Sequence, residues 1–164
     1  MIDWQMIVRE HGPPAYETAW RILGNAADTD DAVQEAMLDA VQLARKRTID
    51  NWGGMLRRLA ACRALDLLRK RRPLYLAVEP QAPLVAQPEA VAVRNELATL
   101  LRASLAELTP REAEVFSLRY FGDLSNGEIA ATLDLQTGAV AVALHKARAR
   151  LQEALQPGKA RHEC

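Results

Sequence analysis

Two helix-start signals, at Thr109 and Ser125, constrain the fold of this chain more than any other feature. Thr109 is followed by Pro110 and then by Glu112, and Ser125 by Glu128. In such a pair the hydroxyl accepts from the free amide at the third helical position, while the glutamate reaches back to the amide of the cap. Proline fits the first helical position, where no intrahelical donor is needed. Leu124 and Ile129 flank the second start as an apolar staple. The helix that begins at Asn126 ends near Leu133 and Asp134, and a tight turn to Gly138 follows. Val140, Leu144, Ala147, Leu151 and Leu155 then recur every three or four residues, which gives a last helix with one buried stripe. Short helices joined this way form a helix-turn-helix, a motif that sets one helix in a DNA groove.

The rest of the chain points to an all-α protein. Ala and Leu dominate its 164 residues, hydrophobic residues make up 49% and aromatic residues 5%, so strong helix formers are plentiful and strand formers scarce. Pro73, Pro80, Pro83 and Pro88 mark a linker over residues 73–90. It separates a helical module at 1–72 from a helix-turn-helix module at 91–156, and residues 157–164 form a flexible tail. Two cysteines, Cys62 and Cys164, make no disulfide framework, and Cys62 in a helical pattern is expected to be a small buried hydrophobe. No apolar run approaches the ~20 residues of a membrane span, and no signal peptide is present, so a cytoplasmic protein without membrane insertion is expected. The residues offer no phosphate loop, nucleophile-base pair or metal-ligand spacing; no enzyme activity, cofactor or metal is expected. His162 and Cys164 alone make a poor zinc site.

The formal net charge is zero, but its distribution is not even. Residues 1–44 carry two bases against eight acids, and residues 45–72 carry ten bases against two acids. Blocks of opposite sign predict two partners, one basic and one polyanionic. That reading requires Gln34 and Glu35 to lie at the surface and the bases from Arg57 to Arg72 to be free of the chain's own carboxylates.

Within the first module, Ala15 to Leu23 reads as a helix ending near Gly24. Asp28 or Thr29 is placed to cap the next, whose apolar stripe is Val33, Met37, Ala40, Val41 and Ala44. Its opposite face carries Asp31, Gln34, Glu35, Leu38, Asp39 and Gln42. A polar loop with Trp52 and Gly53-Gly54 leads to a long helix from Met55 to about Arg71, with Leu56, Leu59, Ala60, Leu65, Leu67 and Leu68 as core candidates. A helix from Val91 to Leu105 opens the second module.

Leu-Thr-Pro-Arg-Glu from Leu108, Phe-Ser-Leu-Arg-Tyr-Phe-Gly-Asp-Leu-Ser from Phe116, Glu128-Ile129-Ala130 and Leu144-His145-Lys146-Ala147-Arg148-Ala149-Arg150-Leu151 together resemble the promoter-recognition domain of bacterial extracytoplasmic-function (ECF) sigma factors, members of the sigma-70 family. Asp30-Asp31-Ala32-Val33-Gln34-Glu35 is similar to that family's polymerase-gripping acidic helix, and Arg63 to Arg72 to its basic helix at the promoter's minus-ten element. The resemblance implies a factor that binds core RNA polymerase and promoter DNA, directs promoter recognition and strand opening, and meets an anti-sigma factor in some members. It implies polymerase contacts from Asp31, Gln34, Glu35, Leu38 and Asp39. It implies minus-ten contacts from Arg45, Lys46, Arg47, Trp52, Arg57, Arg58, Arg63, Arg69, Lys70, Arg71 and Arg72. The helix-turn-helix would contribute Ser125, Gln136, Thr137, Ala139, Val142, Lys146, Arg148 and Arg150. Trp52 reads equally as a base-stacking residue or as a core-edge anchor.

The chain departs from the family pattern at Ala141, Val142 and Ala143, where the family usually carries Lys, Ser and Arg. Ala61 and Cys62 replace Arg and Asn, and Met55 stands at the usual Trp position. An exposed Ala-Val-Ala patch has no hydrogen bond to offer a base edge, though it can touch a thymine methyl. Two readings stay open: a working factor whose upstream contacts come from the polar residues of the last helix, or an interaction protein whose patch docks another protein. A stand-alone regulator, suggested locally by Leu124 to Ala130, lacks a strand-containing sensor in front. His145, close to the stripe of the last helix, is expected to have a packed or cap-proximal role.

Overall fold

The computed structural model describes residues 1–77 and 89–156. They form seven helices: α1 (Trp4–Leu23), α2 (Ala26–Lys46), α3 (Trp52–Ala77), α4 (Glu89–Glu107), α5 (Pro110–Tyr120), α6 (Asn126–Leu133) and α7 (Thr137–Leu155). The all-α expectation holds, with no strand among the described residues. Pro80, Pro83, Pro88 and the tail with His162 and Cys164 lie outside the described residues.

Local chemistry sets the helix ends. Asp3 Oδ1 accepts from the Met6 amide at 3.0 Å, so α1 starts at Trp4 rather than at Ala15 and runs through Pro13 and Pro14. It stops at Gly24, whose φ of 72° is left-handed and whose amide donates to Trp20 O at 2.7 Å. The cap of α2 is Asn25, not Asp28 or Thr29: Asn25 Oδ1 accepts from the Asp28 amide at 2.9 Å. α2 runs to Lys46, so Arg45 and Lys46 are helical, and α3 begins at Trp52 instead of Met55. α3 also continues past Arg71 and Pro73 to Ala77, which takes it five residues into the expected linker. The capping box at Thr109 forms as expected, with Pro110 at the helix start. Ser125 Oγ accepts from the Glu128 amide at 3.1 Å, and Leu124 and Ile129 are both buried beside it.

The two modules share one continuous core. In the first, α1 and α2 pack on α3, burying Ile22, Leu23, Ala32, Ala36, Ala40, Leu56, Ala60, Ala64, Leu65 and Leu68. Alanines on α2 and α3 allow close helix approach, while Val33 and Met37 sit only partly buried at the edge. In the second, Val115, Leu118, Leu124, Ile129, Val140, Leu144, Ala147 and Leu151 fill the centre between α5, α6 and α7. α3 is also packed against α4, α5 and α6.

Candidate nucleic-acid and partner interfaces

The outer face of α2 presents the acidic row. Asp31, Gln34 and Glu35 are exposed, and Leu38 is 59% exposed despite its apolar side chain. Asp39 is half-buried because it turns toward α3. Sequence reasoning missed what lies beside the row. Val8, Gly12, Pro13 and Tyr16 of α1 join Val33, Gln34, Met37 and Leu38 around an open, apolar groove of about 720 Å³. The only local signal was Leu38 on an otherwise polar face. The sequence reading starts α1 at Ala15, after Val8, Gly12 and Pro13, so most of the groove's second wall is invisible to it. The phenol of Tyr16 is raised above the ordinary tyrosine value by desolvation first and by the Asp30 carboxylate of α2 second.

The basic face of α3 is brought together but is not free. Arg58 Nε donates to Glu114 Oε1 of α5 at 2.8 Å, and Arg72 pairs with Glu107 at the end of α4. Arg63 pairs with Asp39 at 2.6 Å and lies 3.9 Å from Glu35, Arg71 reaches the buried Asp28 at 2.8 Å, and Arg69 meets Asp66 at 3.3 Å. The expectation of a face free of the chain's own carboxylates is therefore corrected at five arginines. The reason is geometric for four of them: α2, α4 and α5 flank α3 with acids whose spacing along the chain gave no hint of their contact, while Asp66 stands one turn before Arg69 on α3 itself. Arg45, Lys46, Arg47 and Lys70 are exposed, and Arg57 is half-buried. Trp52 is half-buried at the first turn of α3, edge-on to Trp4 with ring centres 5.4 Å apart, as a core-edge anchor would be. Cys62 is half-buried as well; its thiol donates to Glu114 Oε1 at 3.5 Å, and desolvation with the Glu114 charge pushes it up to about 12.

On the helix-turn-helix, Gln136, Thr137, Ala139, Val142, Lys146, Arg148 and Arg150 are all exposed, with Gln136 at the N-cap position of α7. Ser125 is exposed, but its hydroxyl is engaged by the cap of α6. Arg148 Nε donates to Tyr120 OH at 2.5 Å and its guanidinium lies 5.3 Å from that ring's centre. Arg150 lies 3.4 Å from the buried Glu112. Val142 is 54% exposed, and Ala141 is exposed beside it. Ala143 is not: three residues after Val140 it falls on the buried stripe at 8% exposure, so the apolar patch is Ala141 and Val142 only. His145 is exposed rather than packed, because one step beyond Leu144 the helix has turned it off the stripe.

Comparison with known proteins follows the same division. The model of sigma-70 region 2 matches residues 7–73, and that of sigma-70 region 4 matches residues 98–151. The chain is 28% identical over 160 residues to the ECF RNA polymerase sigma factor SigE of Mycolicibacterium smegmatis, covering 94% of this chain and 62% of that protein. It is 28% identical over 159 residues to the ECF RNA polymerase sigma factor SigW of Bacillus subtilis, covering 86% and 82%. The chain thus spans less than two thirds of the first of these relatives and most of the second. In solved structures the fold matches CnrH, in a complex with the cytosolic domain of CnrY, with a TM-score of 0.59 at 24% identity over 92% of this chain and 86% of that one. It also matches the sigma factor RpoE of Bartonella quintana, in a complex with the anti-sigma factor NepR, with a TM-score of 0.56 at 18% identity over 96% and 99%. With region 2 and region 4 matched in chain order over most of its length, the chain belongs to the sigma-70 family, as a factor of the ECF type.

Proposed function

We propose that this chain binds core RNA polymerase in the bacterial cytoplasm and directs it to promoters, with the 1–72 module gripping polymerase and the minus-ten element and the 91–156 module meeting DNA upstream. It is a non-enzymatic factor; the phosphoryl chemistry belongs to the polymerase. Among the described residues no helix is long and apolar enough to cross a membrane.

The observation that carries the reading is the α2 face. An exposed leucine, an apolar groove and exposed Asp31 and Glu35 lie side by side, which suits a helical partner with an apolar ridge and basic flanks. The bases of α3 and the loop before it would meet phosphates and melted single strand. Exposed ion pairs contribute little, so Arg63–Asp39 and Arg69–Asp66 can be exchanged for phosphate contacts. Run-off transcription with core polymerase on a library of promoter fragments tests the proposal. Specific transcripts that depend on this chain support it, and absence of both transcripts and polymerase association at low salt overturns it.

A second reading is favoured by Ala141 and Val142, which present no donor or acceptor where an upstream base edge would be read. In it the patch takes a protein such as an anti-sigma factor. Replacing Ala141 and Val142 with Lys and Ser tests it: upstream-element binding gained by this change points to lost DNA reading, and unchanged affinity shows that the patch is not the cause.

A further inference from the structure

We infer that Val142 of α7 is a specificity-determining residue that reads the C5 methyl of a thymine in the major groove. The upstream element of this chain's promoters then carries a thymine opposite Val142. The inference rests on the proposed promoter-directing reading and names what its second module recognises.

Helix-turn-helix modules meet base edges through the N-terminal part of their second helix. On α7, Val140, Ala143, Leu144, Ala147 and Leu151 are buried, so the row Gly138, Val142, His145 and Ala149 faces away from the module. Val142 is the apolar member of that row with reach, at 54% exposure. Gly138, one turn before it, has no side chain, and a Cβ built there would meet no atom within 4 Å. Ala141 and Ala149 are exposed and short. Such neighbours let the helix sit close to the groove floor, which a side chain as short as valine needs in order to touch a base.

The long cations of the same helix are turned aside. Arg148 Nε donates to Tyr120 OH at 2.5 Å with its guanidinium 5.3 Å from that ring's centre, and Arg150 Nε stands 3.4 Å from the buried Glu112. Held this way, neither points a fork at guanine O6 and N7, the commonest specific contact. Over residues 109–156 five bases stand against six acids, so attraction to phosphates is weak and binding leans on the base edges. The thymine methyl is the apolar group that the major groove offers, and meeting it requires no donor or acceptor. Contact with Val142 removes apolar surface from water on both sides.

Removing the methyl and nothing else tests this. The full chain with core polymerase is offered double-stranded promoter fragments randomised upstream of the minus-ten element. Bound fragments are sequenced, and the enriched element is made again with deoxyuridine in place of each thymine in turn. The expected result is an enriched thymine whose replacement weakens binding about three- to fivefold, the worth of one buried methyl. That ratio should hold as salt is raised, because no charge is involved. Val142→Ser, at equal helical content, should bind the two duplexes equally. An enriched element without thymine, no effect of uridine at any position, or an effect that persists in Val142→Ser overturns methyl reading by Val142. Promoter binding with no upstream preference overturns base reading by α7 and leaves the promoter-directing role standing. Failure to bind any promoter overturns that role and the inference with it.

Discussion

Arg63 and Asp39 meet across the α2–α3 seam as a two-point pair, Nε to Oδ2 at 2.6 Å and Nη2 to Oδ1 at 2.7 Å. Sequence logic assigns them to different partners, the arginine to DNA and the aspartate to polymerase. The hydrogen bonds that Arg63 donates to Asp39 raise the arginine's pKa further, so its charge is fixed across all accessible pH. Both side chains are partly open to solvent, which limits the pair to about 1 kcal/mol or less. Asp39→Ala should cost no more than that in urea denaturation while raising single-stranded DNA affinity, because a planar cation is released to bind phosphate. A large loss of stability, or weaker DNA binding, would show that the pair is a structural tie and not a shared contact.

Gly24 is the one glycine described with a left-handed φ, 72°, and a Cβ there would also press on the Arg102 guanidinium. Gly24→Ala should destabilise the fold by about 1–2 kcal/mol, mostly from backbone strain at the α1 C-terminus. The midpoint of chemical denaturation should fall with an unchanged slope.

The two helix-turn-helix caps predict equal, local effects. Thr109→Ala and Ser125→Ala should each cost about 1 kcal/mol, since each removes an acceptor from an otherwise unsatisfied amide. The two losses should add, because the sites cap separate helices. Thermal unfolding of the single and double variants checks this.

Cys62 sets a pH dependence. Its thiol is raised from 9.0 to about 12 by desolvation and by Glu114. Below pH 9 it is neutral in both the folded and the unfolded chain and adds no slope. As pH climbs from 9 toward 12 the unfolded chain ionises and the folded chain does not, so this group lowers stability, by up to about 1.4 kcal/mol per pH unit. Cys62→Ala should flatten the stability profile over that window relative to the parent. The parent's thiol should also react slowly with a disulfide reagent at pH 8, and faster once Glu114→Gln removes the carboxylate charge beside it.

The helix-turn-helix was legible because its signals are local. Thr109 and Glu112, or Ser125 and Glu128, act within one turn, and the stripe from Val140 to Leu151 is periodic. Ala143 and His145 were misplaced by one step around the helix, where period 3.6 decides between adjacent faces. α1 was cut short because Gly12-Pro13-Pro14 reads as a breaker; Asp3, three residues before Met6, was the overlooked start signal. The family resemblance was legible from motif order. The site's pairing was not: Arg58 and Glu114 are separated by 56 positions, Arg72 and Glu107 by 35, and nothing in either segment announces the other. The groove beside Leu38 stayed hidden for the same reason, since its walls come from two helices.

The central claim is that the outer face of α2 binds core RNA polymerase. Its most direct test is an equilibrium titration of core polymerase with fluorescently labelled chain, comparing the parent with Leu38→Arg, a change at an exposed position that leaves the fold unstrained. The account predicts saturable one-to-one binding for the parent and at least a tenfold loss for Leu38→Arg at equal helical content. No binding by the parent, or identical binding by both proteins, would contradict it.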